Sequence, residues 1–137
     1  MSRTANGDHK LDLRITPVPK PRMTRRDKWA KRPAVTRYFA YRDDIRAAAK
    51  GIPGRIFRVD VQFHMPFPKS WSKKRREEAS RLGGLHQAKP DLDNLVKGLL
   101  DALTSEDSTV GVINAAKYWS YDRTGRVIAV IAAEEPA

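Results

Sequence analysis

The stretch Lys89-Pro90-Asp91-Leu92-Asp93-Asn94-Leu95-Val96-Lys97-Gly98-Leu99-Leu100-Asp101-Ala102-Leu103 joins a charged opening to a regular apolar pattern. Leu92, Leu95, Val96, Leu99, Leu100 and Leu103 fall on one arc of a helical wheel, while Asp93, Lys97 and Asp101 share a stripe on the other side. The spacing predicts an amphipathic helix over 91–103. Pro90 suits the approach to its first turn and biases Lys89 to an extended conformation.

Upstream of it, Gly83 and Gly84 close a helix expected from Ser70 to Leu82, with Ser70 or Ser72 as cap and Glu77 and Glu78 facing Lys73 and Lys74. Phe57, Val59, Val61, Phe63 and Met65 alternate with Arg58, Asp60, Gln62 and His64, the pattern of a half-buried strand, stopped by Pro66 and Pro68. Residues 38–50 read as a helix with Tyr38, Tyr41, Ile45 and Ala48 or Ala49 on one face, and Leu11, Leu13 and Ile15 as a first strand. Downstream, Val110, Val112 and Ile113 lead into a strand, Asp122-Arg123-Thr124-Gly125 reads as a hairpin turn, and Arg126 to Ala132 as a closing strand. This order implies one small α+β domain over residues 1–137, a mixed or antiparallel sheet with helices packed on it.

Charge narrows the partner. Residues 1–90 carry 23 Lys and Arg against 8 Asp and Glu, whereas residues 91–137 carry 4 against 8. A net charge of +11 points to a polyanion, nucleic acid before acidic membrane. Arg25 and Arg26 lie in a basic, proline-punctuated arm over 18–37, where Trp29 either stacks on a base or packs against the domain. Lys73, Lys74, Arg75 and Arg76 form either a solvated helix face or a phosphate-contacting run, and Lys89 adds a cation beside the acidic segment. No apolar run approaches the roughly 18 residues of a membrane span, and Met1 to Lys10 carries no signal core, so an intracellular, cytoplasmic protein is expected.

The chain has no cysteine, and His9, His64 and His86 show no ligand spacing. A metal would therefore be held by oxygen, which favours Mg²⁺, with Mn²⁺ as substitute. Asp91 and Asp93, two apart at the helix start, can reach one cation if they point the same way, and Lys97 lies one turn beyond Asp93. Glu106-Asp107, before the next strand, adds a third carboxylate. The competing reading makes Asp91 or Asp93 a helix cap and Asp93, Lys97 and Asp101 surface ion pairs, in a basic nucleic-acid-binding module without catalysis.

The segment Lys89 to Lys97, continued through Asp101-Ala102-Leu103-Thr104 and followed by the acidic pair Glu106-Asp107, resembles the signature of the RusA family of Holliday-junction resolvases. The likeness extends over about residues 56–119, from the strand holding Phe63-His64-Met65-Pro66 to Lys117, and is looser before Tyr38. It implies a RusA-like fold in which Asp91, Asp93 and Asp107 bind the metal and Lys97 is the catalytic lysine. It further implies a homodimer that resolves four-way DNA junctions by paired nicks, leaving 5′-phosphate and 3′-hydroxyl ends, without a small-molecule cofactor. Such resolvases are often encoded by phage or prophage. Two departures stand out: Glu106 replaces a common aspartate, leaving Glu106 or Asp107 as third ligand, and the Leu103–Glu106 connection is short.

Overall fold

A computed structural model describes residues 2–3, 8–22, 32–53, 55–120 and 124–134. In chain order the elements are β1 (Ser2–Arg3), β2 (His9–Leu13), α1 (Pro33–Ala48), β3 (Arg55–Pro66), α2 (Lys73–Ala79), α3 (Arg81–Gly84), α4 (Leu92–Leu103), β4 (Val112–Ser120) and β5 (Arg126–Glu134). The strands form one sheet in the order β1-β2-β5-β3-β4. β3 runs parallel to β4 and antiparallel to β5, so the sheet is mixed and the fold is α+β.

β3 is the long central strand, and its alternation carries the core. Val59, Val61, Phe63 and Met65 are buried, as are Val127, Ala129 and Ile131 on β5. α1 adds Tyr38, Tyr41 and Ile45 to this layer, and α4 adds Leu95 and Leu99. The alternation predicted from Phe57 breaks at a β-bulge between Ile56 and Arg58. The extra residue shifts the phase, so Ile56 is buried and Phe57 is exposed.

Three other expectations change. α1 begins at Pro33 rather than Tyr38, because a proline without an N–H fits the first helical turn, where none is needed. The helix expected to reach Leu82 ends at Ala79 with Ser80 as its C-cap, and just beyond it Leu82 and Gly83 take left-handed φ angles of 54° and 69°. The last two strands are not a hairpin. β4 lies on one edge of β3 and β5 on the other. Turn chemistry says that the chain reverses but not which neighbour it returns to. Asp122 and Arg123 lie outside the described residues, but Gly125 shows why glycine is required. A Cβ there would sit 2.6 Å from Thr16 Cα and 3.0 Å from the His64 carbonyl oxygen.

Candidate active site

α4 presents its charged start to solvent because its other face is committed to the core. Leu95, Gly98, Leu99, Leu100 and Ala102 are buried, whereas Asp93 and Lys97 are exposed. Asp91 is the N-cap residue in extended conformation, with its carbonyl accepting from Leu95 N at 3.2 Å, but its carboxylate makes no capping bond. The Asp93 carboxylate accepts from the Asn94 N–H at 3.0 Å. Neither aspartate forms an ion pair with Lys97 among the described residues. Asp91 thus stands at the cap position without a capping bond from its carboxylate, Asp101 pairs with Lys20, and an Asp93–Lys97 pair is not formed among the described residues.

The short connection after α4 is held by its own polar groups. Thr104 Oγ1 accepts from Glu106 N at 3.0 Å, and Ser108 Oγ donates to Glu106 Oε1 at 2.6 Å. Thr109 Oγ1 donates to the Ile56 carbonyl at 2.7 Å, and Gly111 N to that of Phe57 at 2.9 Å, which seats the turn against β3. This turn delivers Asp107 to a cleft of about 560 Å³ that Asp93, Lys97 and Ala115 also line. Glu106 is not among the lining residues.

The arrangement differs from three carboxylates on one ion. Among the described residues, no three His, Asp or Glu side chains are close enough to surround a metal. Asp91 stands outside the cleft lining. The reason is geometric: Asp93 is already helical, so i and i+2 diverge around the axis instead of pointing the same way. Two carboxylates still suit Mg²⁺, which keeps several waters and is often bound through one or two carboxylates plus substrate phosphates. A larger hollow of about 790 Å³ lies between the proline segment and α1, lined by Val18, Tyr41 and Met65. It contains none of Asp91, Asp93, Lys97 and Asp107.

The other cations singled out in the sequence lie at the surface wherever they are described. Lys73, Lys74, Arg75 and Arg76 are all exposed on α2, which buries no residue of its own. Ser72 caps that helix, its Oγ accepting from Arg75 N at 3.2 Å. An aromatic cluster anchors the segment: Trp71 lies 4.9 Å from Trp119, Phe67 stacks on Trp119 at 5.1 Å, and Arg75 covers Trp71 at 4.7 Å. Lys89 is exposed, and Arg25, Arg26 and Trp29 fall outside the described residues. His64 pairs with Gln62 at 3.2 Å and burial lowers its pKa, with Arg126 adding to the effect. Sequence reasoning missed how Lys117 is used. Its ammonium donates to the carbonyls of Ala88 and Pro90, at 2.5 and 2.8 Å. A lone lysine in a strand carries no local signal for such a role.

The family model for endodeoxyribonuclease RusA matches residues 12–131. The chain belongs to the RusA endodeoxyribonuclease family. The match begins at Asp12, well before Tyr38, so the RusA pattern takes in the end of β2 and the segment leading into α1. Over 68 residues the chain is 40% identical to YqaN, an uncharacterized protein of Bacillus subtilis (strain 168), a match covering 45% of this chain and 48% of YqaN. The chain thus spans about half the length of that relative. Among the described residues no helix is long and apolar enough to cross a membrane.

Proposed function

We propose that this chain is a Mg²⁺-dependent endodeoxyribonuclease that resolves four-way DNA junctions, working as a homodimer that nicks two symmetry-related strands. The observation that carries the reading is the convergence of Asp93, Lys97 and Asp107 on one cleft in a RusA-family chain. Asp93 and Asp107 would hold the ion, with Asp91 at the helix start beside them. An ion bound there supplies a water acidic enough to deprotonate near neutral pH and offsets phosphate charge. The chain's own groups do the remaining work. Lys97 lines the cleft, and its ammonium would stabilise negative charge growing on the phosphate oxygens during attack. The open rim admits a duplex backbone, and the cations of α2 and Lys89 bind neighbouring phosphates. Attack of water on phosphorus breaks the P–O3′ bond, and the departing 3′ oxygen takes a proton from solvent, which leaves 5′-phosphate and 3′-hydroxyl ends. Mn²⁺ should replace Mg²⁺, since both accept oxygen donors.

The test is a labelled four-way junction incubated with Mg²⁺ and either the native protein or Asp93→Asn. Paired symmetric nicks that disappear in the variant, with junction binding retained, support the reading. Tight binding by both proteins without any cleavage would leave a nucleic-acid-binding module in its place.

A further inference from the structure

We propose that Lys117 is a positioning residue of this site, an ammonium clamp that fixes the segment carrying Asp91 and Asp93 onto the edge strand β4. The inference rests on the nuclease reading above and adds a residue to it. An ammonium has three donors, and Lys117 directs two at the Ala88 and Pro90 carbonyls, at 2.5 and 2.8 Å. The Pro90 carbonyl belongs to the peptide that leads into Asp91. Asp91 in turn accepts the helix bond from Leu95 N. Displacing that carbonyl therefore displaces the first turn of α4, and Asp93 with it.

Neighbouring contacts continue the same attachment. Leu85 forms an antiparallel bridge with Tyr118, and His86 N donates to the Lys117 carbonyl at 3.1 Å. The His86 ring is buried 4.2 Å from the Trp119 ring. The stretch 85–90 is thus pinned at its start by backbone and ring contacts, and at its end by one side chain. Alternation along β4 places Lys117 on the same sheet face as Ala115, which lines the cleft. Lys117 is half-buried and its bonds go to backbone, so it serves the frame rather than the DNA. Lysine suits the task because carbonyls close together repel, and one ammonium satisfies both. Residues that orient metal ligands typically change affinity or activity by about 10- to 100-fold when removed.

The experiment compares native protein, Lys117→Met and Lys117→Gln by amide hydrogen exchange and by junction cleavage across a Mn²⁺ titration. Lys117→Met should speed exchange selectively over 87–93, raise the Mn²⁺ midpoint and lower kcat by about 10-fold or more, with KM unchanged. Lys117→Gln, which retains a donor, should fall between the two. A merely structural lysine would alter exchange without moving the Mn²⁺ midpoint or the split between kcat and KM, and that result overturns the proposal. Unchanged exchange in Lys117→Met overturns it as well. If Lys117→Met does not fold, Lys117→Gln decides by the same readouts. A native protein that fails to cleave at any Mn²⁺ concentration removes the nuclease reading itself, and the positioning role falls with it.

Discussion

Asp93 and Asp101 occupy the same stripe of α4, with Lys97 between them, yet they live in different surroundings. Asp101 is bridged by Lys20, which reaches it from a segment 81 residues away. The proline-rich segment and α1 are tied to the same helix: Lys20 N donates to the Asn94 carbonyl at 3.4 Å and Tyr38 Oη to that of Gly98 at 2.9 Å. At the other end, Asp93 bonds only its neighbouring amide, and Lys97 forms no ion pair among the described residues. One end of the helix spends its charge on the fold; the other keeps it available in a cleft.

The largest expected effect separates the two ends directly. Asp93→Asn should reduce junction cleavage by about a thousandfold, and Lys97→Ala by about a hundredfold or more, as the loss of charge aimed at the reacting phosphate implies. Neither should lower the melting temperature, and Asp93→Asn should leave junction binding intact or stronger, since a repulsion of phosphate is gone. Cleavage at the native rate by either variant would show that the open end is as structural as the closed one.

Gly98→Ala probes the fastened end. An added Cβ would lie 3.1 Å from Lys20 N, 3.2 Å from the Val18 carbonyl oxygen and 3.2 Å from Tyr38 Cε1. Alanine gains about 1 kcal/mol of helix propensity over glycine, while overpacking costs about 1–3 kcal/mol. Two of the three contacts are backbone and cannot swing aside, so the steric cost should win. Denaturant unfolding should show a net loss of about 1 kcal/mol; a more stable variant would mean that the proline-rich segment yields freely.

Lys20→Met removes the ion pair with a smaller loss. The two side chains remain 31% and 27% exposed, so solvent screening leaves the pair worth about 0.5–1 kcal/mol. Melting should fall by about 3 °C and the slope of stability against salt should flatten, while kcat stays at the native value. A fall in kcat matching Asp93→Asn would erase the distinction between the two ends.

How much of this was legible in the sequence follows the range of each interaction. The α4 pattern is local, and its apolar arc and charged stripe survive into the structure. So does the inward row Val59, Val61, Phe63 and Met65, because alternation needs only neighbours. The bulge at Ile56 escaped because one inserted residue reverses the phase without changing composition. The separation of β4 from β5 escaped because adjacency in sequence is a poor guide once a central strand can accept partners on both edges. Within the site, the spacing of Asp93 and Lys97 was readable as one helical turn, whereas the turn that carries Asp107 into the same cleft depends on Thr104, Ser108 and Thr109 finding backbone partners. Lys20 and Lys117 were opaque for a stronger reason. Each meets its partner only after distant segments have packed.

The smallest expected effect concerns pH, and it again distinguishes the ends of α4. Burial holds the His86 imidazole below its usual pKa, with the Lys117 ammonium adding to the shift. His64 is lowered in the same direction, first by burial and then by Arg126. A base lowered on folding is neutral in the folded chain at pH values where the unfolded chain, near its ordinary value of about 6.5, begins to take up a proton. Their contribution is therefore full above about pH 6.5 and is lost progressively as pH falls from there through the lower folded-state values. Asp12 and Asp60, lowered by hydrogen bonds from Arg126 and Arg58, are fully ionised in this window and contribute only nearer pH 4, so they do not obscure it. Thermal melts from pH 7.5 to 5.5 should show a gradual decline, reduced in His86→Gln and reduced further when His64→Gln is added. Because His86 ties the segment that leads into Asp91 to β4, exchange over 85–91 should quicken on acidification before exchange at the Gly98 end of the helix does. Equal quickening at both ends, or a slope that survives the double substitution, would place the titrating group elsewhere.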